Sequence, residues 1–302
     1  MFSSPRCDAL QVLWPACAQL GEGLCWSPAS QSVWWVDIFG KRLMRLSMAS
    51  GERREWPFDE MISAVAERAN GRGLIVSLKS GIAFFDPDTG ALERLHSPEP
   101  HLEGNRFNDG KCDSHGRFWA GTMDMGCKAE TGSLYAVTAE AGGTRIDCAW
   151  PAGFPVVNGP TWSLDGRRIW LNDTARNFIH TGEFDPATGT VGSTRVFMRL
   201  APGDGYPDGM TTDADGRLWV AHWGGACVTC HAPDDGRELA RIALPTSNIT
   251  NVAFGGPDMR TLFVTSAAAE LDAQQSASQP LAGALFAVAT DATGLPPHRF
   301  AG

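Results

Sequence analysis

Short apolar runs rich in β-branched and aromatic residues recur along the chain, bounded every ~8–12 residues by Gly, Pro, Asp and Asn, and no long stretch carries the 3.6-residue period of an amphipathic helix. One compound pattern repeats: an apolar or small residue, a turn such as Asp-Gly, then an aromatic-rich strand. Its copies read CWSPASQSVWWVD from Cys25, AERANGRGLIVSL from Ala66, CDSHGRFWAGT from Cys112, TWSLDGRRIWLND from Thr161, TDADGRLWVAH from Thr212 and AFGGPDMRTLFVTS from Ala253. A second hairpin-like stretch follows each copy, and two of these close through Asp-Pro-x-Thr-Gly turns, Asp86 to Gly90 and Asp185 to Gly189. Four strands per unit and six units, at a period of roughly 40–50 residues, predict an all-β fold: a six-bladed β-propeller with four-stranded antiparallel blades, as one domain over residues 1–302. The run Leu10 to Ala16 is left over and is expected to close the ring by joining the last blade. Tryptophans at matching places (Trp26 with Trp162; Trp34, Trp119, Trp170 and Trp219) are expected to fill the layers between blades.

In such a ring the strand before the first turn of each unit is innermost. Seven residues before the turn residues Ala29, Asn70, His115, Asp165 and Asp215 stand Glu22, Ser63, Asn108, Asn158 and Asp208, and eight before Asp258, where the turn is one residue longer, stands Thr250. All six are polar, where an inner strand of a packed sheet is normally apolar and a buried carboxylate is rare without a partner. Two explanations fit. Glu22, Asn158 and Asp208 bring hard oxygen donors and two negative charges to one axis, which suits a single divalent ion, Ca²⁺, Mg²⁺, Mn²⁺, Zn²⁺ or Fe²⁺. Alternatively, the side chains bond to one another and to water in a wet channel. Glycine follows each of the three (Gly23, Gly159, Gly209), which lets backbone pass close to an ion or ligand.

Composition narrows the partners. Of 302 residues 43% are hydrophobic and 20% charged, which excludes a disordered chain. A net charge of −9 opposes nucleic-acid binding and fits a neutral substrate slightly better than an anionic one. No apolar run approaches a membrane span, and the N-terminus lacks a signal-like run after Arg6, so a cytoplasmic protein without a membrane partner is expected. The eight cysteines are scattered and expected to be reduced. Cys227 and Cys230 form a C-x-x-C within one strand, where alternate faces and the lack of a second pair argue against zinc or redox chemistry. The histidines show no ligand spacing; a structural or surface place is expected for His222, the other reading being the channel mouth beside Trp223. There is no G-x-S-x-G elbow, H-E-x-x-H or phosphate-binding loop.

Six stretches, LGEGLCW (Leu20 to Trp26), NRFNDGKCDSHGRFWAGTM (Asn105 to Met123), VNGPTWSLDG (Val157 to Gly166), YPDGMTTDADGRLWVAHWGG (Tyr206 to Gly225), FGGPDMRTLFVTSA (Phe254 to Ala267) and PLAGALFAV (Pro280 to Val288), resemble the SMP-30/gluconolactonase/regucalcin-like family nearly end to end. The resemblance implies a six-bladed propeller with one divalent ion on Glu22, Asn158 and Asp208, and substrate contacts at Arg106 and Asn108. Some animal members carry an acidic substrate contact shortly after AGTM; here Gly126 stands near that place. AHWGG and PLAGALFAV look most like bacterial aldonolactone hydrolases, and the implied partner is a small-molecule sugar lactone met by a monomer or weak homo-oligomer. The implied reaction is hydrolysis of a sugar lactone to the aldonic acid, with the carbonyl polarised by the ion and water activated near Asp208 as general base. Asp109 is the second candidate beside the substrate, against the plainer role of capping the turn before Gly110. The rivals are a noncatalytic calcium-binding or scaffold propeller, and hydrolysis of another ester-like bond at the same ion.

Overall fold

Apolar alternation and tight turns produce six four-stranded antiparallel sheets arranged as the blades of a propeller, five of them simple meanders of four consecutive strands and the sixth a meander of three completed from the N-terminus. The computed structural model describes residues 2–302, Ala152 by its backbone only, so Met1 of the expected 1–302 span lies outside the described residues. The innermost strands are Gly21–Ser27, Ile62–Glu67, Asn105–Cys112, Val157–Trp162, Tyr206–Thr212 and Ile249–Gly255, and each contacts the next around the ring. The last blade takes its outermost strand from the N-terminus: Gln11–Trp14 pairs antiparallel with Leu285–Ala289, Gln11 opposite Ala287. The leftover run therefore closes the ring as its sequence suggested. No helix among the described residues is long and apolar enough to cross a membrane.

The apolar core is divided into six clusters, and each straddles one blade interface, as where Trp119 and Leu134 of the third blade meet Val157 and Ile169 of the fourth. The repeated tryptophans sit in these layers. Trp119 lies edge-on to Phe184 (5.4 Å between ring centres), Trp219 edge-on to Phe254 (5.5 Å), and Trp26 stacks on Phe263 (5.6 Å). The turn chemistry behind the repeat is clearest in two blades. Asp113 Oδ2 accepts from Arg117 Nε (2.6 Å) and Trp119 Nε1 (2.9 Å), while Asp213 Oδ2 accepts from Arg217 Nε (2.7 Å) and Trp219 Nε1 (2.9 Å). One carboxylate thus caps its own turn and fixes the interblade indole.

Every innermost strand carries one residue more than its partner at the same level, with register shifts after Glu22, Ile62, Phe107, Asn158, Pro207 and Ile249. These are β-bulges, which break the in–out alternation and re-aim neighbouring side chains. Alternation along the sequence does not encode that step, and it shapes the functional end of the axis.

Candidate functional site

The bulges bring Glu22, Arg106, Asn108, Asn158 and Asp208 together from four blades, each at most 5% exposed, at one end of a 460 Å³ cavity. Its wall is completed by Phe39, Tyr206, Trp223, Cys127 and Glu270. The carboxylates of Glu22 and Asp208 meet there. Glu22 Oε2 accepts from the Gly23 N–H (3.1 Å) and Asn251 Nδ2 (2.9 Å). No N–H or O–H donor among the described residues reaches the Asp208 carboxylate.

The amides are oriented by their neighbours. Asn158 Nδ2 donates to Thr174 Oγ1 (2.9 Å), which turns its Oδ1 towards Asn108 Nδ2 (2.8 Å). Asn108 gives its second hydrogen to the Val157 carbonyl (2.9 Å), and its Oδ1 accepts from Arg106 Nη1 (2.6 Å). Both Asn108 hydrogens are therefore committed, so towards a ligand it can only accept, where the sequence allowed donation as well. Arg106 Nη1 also donates to the Phe107 carbonyl (3.0 Å), which leaves Nε and Nη2 without a protein acceptor among the described residues.

Burial pushes Glu22 and Asp208 well above the usual carboxylate range, and repulsion from Asp109, together with that between Glu22 and Asp208, adds to it. The same burial pulls Arg106 down to about 10, against the pull of Glu22. Two buried carboxylates facing a single cation leave a deficit of positive charge, and a divalent ion would remove it. The donors are hard oxygens: two carboxylates and an amide whose Oδ1 keeps one lone pair after its bond to Asn108. The residues fit an oxygen-liganded divalent ion. Among the described residues no group of three or more His, Cys, Asp or Glu side chains gathers for a metal, and the set here depends on an amide in third place.

Several expectations change. Asp109 is buried but does not line the cavity: Oδ1 accepts from the Gly110 N–H (2.8 Å) and Oδ2 from the Gly159 N–H (3.0 Å), with Asn251 Nδ2 at 3.3 Å from Oδ1. It ties the strands of Asn158 and Asn251 together behind the cavity. Ser63 turns to Ser77 of its own blade (2.9 Å), and Thr250 bonds Thr265 (2.9 Å) and the Gly21 carbonyl. Neither reaches the cavity, because a hydroxyl on a short side chain is satisfied by adjacent backbone. In the sixth blade it is Asn251, the next residue along the bulge, that joins the axial network.

The glycines have a geometric reason. A Cβ at Gly209 would stand 2.5 Å from Asn251 Cγ, and one at Gly23 2.9 Å from the Ser63 carbonyl oxygen, with Gly23 at φ +60°. His222 is fully buried between the Asp204 carbonyl oxygen (Nδ1, 2.8 Å) and Thr229 Oγ1 (Nε2, 2.6 Å), while its neighbour Trp223 lines the cavity. A second cavity, 480 Å³, is lined by Lys111 with Trp26, Trp162 and Phe254, and none of the converging oxygen side chains reaches it. Lys111 Nζ donates to the Met210 carbonyl (2.6 Å) across the channel, and burial lowers its pKa against the opposing pull of Asp109. Asn251, Lys111 and Glu270 were not singled out from sequence. The first stands one place from the counted position, the second needs the channel to be seen, and the third lies on an insertion with no counterpart in the repeat.

The chain is similar to known proteins along most of its length. The profile of the SMP-30/Gluconolactonase/LRE-like region matches residues 20–268. L-arabinolactonase of Azospirillum brasilense is 35% identical over 285 residues, covering 94% of this chain and 92% of that one. 6-Deoxy-6-sulfogluconolactonase of Pseudomonas putida is 36% identical over 285 residues, covering 94% and 95%. The crystal structure of the calcium-binding protein regucalcin from Agrobacterium tumefaciens superposes with a TM-score of 0.89 at 31% identity, over 99% of this chain and 97% of that one.

Proposed function

Since the chain belongs to the SMP-30/gluconolactonase/LRE-like family, we propose that it is a lactonase that opens a sugar lactone to the aldonic acid, using one divalent ion held by Glu22, Asn158 and Asp208. The observation that carries this is the meeting of two buried carboxylates, an oriented amide oxygen and a buried guanidinium at one end of a cavity large enough for a sugar ring. When bound, the ion supplies Lewis acidity to the lactone carbonyl and acidifies a neighbouring water.

The chain's own residues do the rest. Arg106, anchored through Nη1, directs Nε and Nη2 hydrogens at the carbonyl and ring oxygens, where negative charge grows as water adds. Asn108 accepts from one sugar hydroxyl while holding Arg106 and Asn158 in place. Asp208, ionised beside the cation, takes a proton from the attacking water. That proton passes to the ring oxygen as the carbon–oxygen bond breaks, so water and lactone give the hydroxy acid. Asp109 and Asn251 are positioning residues.

Acid release from a panel of aldonolactones by metal-stripped protein, with Ca²⁺, Mg²⁺, Mn²⁺ or Zn²⁺ restored singly, tests the reading. Turnover is expected only with metal. Asp208→Ala is expected to lose metal and turnover together, whereas Asn108→Ala keeps the metal and loses about 10- to 100-fold in kcat/KM. Full activity and full metal content in Asp208→Ala would reject the assignment.

A further inference from the structure

One wall of the cavity comes from the connection between the second and third strands of the sixth blade, residues 267–284, which begins where the stretch matched by the family profile ends. Its start is pinned to the ring: the Ala267 N–H donates to the Asn248 carbonyl (2.9 Å), Ala268 to Ala18 (3.1 Å) and Ala269 to Gln19 (2.8 Å), and Asn248 Nδ2 donates to the Ala269 carbonyl (2.9 Å). Its far end is pinned as well, Gln279 Oε1 accepting from Thr246 Oγ1 (2.9 Å) and the Ser247 N–H (2.7 Å).

Glu270 follows the first anchor directly and stands at φ +63°, a conformation disfavoured for any residue with a Cβ. Its side chain lines the cavity, with Cys127 of the third blade close by. Among the described residues no hydrogen-bond donor or cation pairs with its carboxylate. Glu270 is exposed to solvent at the rim, and its strained backbone conformation holds that carboxylate over the cavity, where a ligand entering the site would meet it.

The charges in the cavity say which ligand. Its lining carries the carboxylates of Glu22, Asp208 and Glu270 and one cation, Arg106. A divalent ion on the first two brings the site to neutrality, with the remaining negative charge at Glu270 and the positive charge at Arg106. We propose that Glu270 accepts hydrogen bonds from sugar hydroxyls remote from the lactone carbonyl and thereby selects neutral polyhydroxylated lactones over those bearing a phosphate, sulfonate or carboxylate; this rests on the lactonase reading. Hydroxyls donate well to a carboxylate, and an anion brought to the same place is repelled at short range.

The test compares metal-loaded wild type, Glu270→Gln and Glu270→Lys on a neutral hexonolactone and on its 6-phosphate. Wild type is expected to prefer the neutral lactone. Glu270→Gln is expected to raise KM for it about tenfold with kcat changed by no more than about threefold, and to shrink the preference by about tenfold. Glu270→Lys is expected to shrink it further. An unchanged ratio of kcat/KM values in both variants overturns the proposal. If wild type hydrolyses neither lactone, the lactonase reading falls on its own, and calorimetric titration with a neutral hexitol and its phosphate still reads Glu270. Binding about tenfold weaker for the hexitol in Glu270→Gln supports the role, and equal binding by wild type and variant overturns it.

Discussion

Asn251 couples the Glu22 carboxylate, proposed as a metal ligand, to the strand behind it: one amide nitrogen serves Glu22 and lies within reach of Asp109, while its Oδ1 accepts from the Val252 N–H (2.8 Å). Groups that orient a ligand carboxylate in this way tune metal affinity by about 10- to 100-fold. Asn251→Ala is accordingly expected to weaken Ca²⁺ or Mn²⁺ binding to the stripped protein by about tenfold, with kcat at saturating metal nearly kept. Titration calorimetry would show it, and unchanged affinity would mean that Gly23 alone orients Glu22. Gly209→Ala should give a related defect, since its Cβ would displace the same Asn251 side chain. At this scale the spacing of the repeat located Glu22, Asn108, Asn158 and Asp208. It missed Asn251 because a bulge offers two consecutive residues to the axis and counting selects only one.

Within the fifth blade, the inner pair of strands joins a buried histidine to the cavity wall. His222 pairs in register with Pro207, next to Asp208, and precedes Trp223 of the wall. The Thr229 hydroxyl that meets His222 also meets His231 Nε2 (2.6 Å), and His231 Nδ1 faces the Gly236 carbonyl (2.9 Å). Burial pulls His222 down to about 4, with His231 and Arg241 acting in the same sense and Asp204 against it. The unfolded chain takes up a proton near pH 6.5 that the folded blade refuses, so stability is expected to fall as pH drops from about 6.5 towards 4, by on the order of 2–3 kcal/mol from this group. Denaturant unfolding at pH 7 and pH 4.5 measures the loss, and His222→Asn should show less of it. An equal loss in the variant would move the acid sensitivity elsewhere. The sequence left a structural or surface place and the channel mouth open for this histidine; its burial and its hydrogen-bond chain required the neighbouring strand.

Across the whole ring, stability is shared between blades, because each apolar cluster draws on two sheets and no blade encloses a core alone. Closure depends on Gln11–Trp14: Trp14 is buried and lies edge-on to Trp35 of the first blade (5.7 Å). Trp14→Ala is expected to cost about 3–5 kcal/mol. Deleting the strand would expose the edge of Leu285–Ala289 to pairing with other chains. We propose that the ring unfolds as one unit, seen as agreement between calorimetric and van't Hoff enthalpies. Two resolved transitions, or a Trp14→Ala protein as stable as wild type, would contradict shared closure.

The blade count, the antiparallel meander, the N-terminal closing strand and the interblade tryptophans follow from the sequence alone, because each rests on local period, turn chemistry and a pattern repeated six times. Repetition also carries the inner-strand polar positions, since equivalent residues occupy equivalent places. What only the tertiary structure decided is which polar residues meet. Bulges aim Asn251 and Asp109 at the axis, neighbouring hydroxyls and backbone carbonyls withdraw Ser63 and Thr250 from it, and a unique connection sets Glu270 at the rim. These depend on contacts between residues as much as 229 positions apart, as for Glu22 with Asn251, and no local pattern carries that distance.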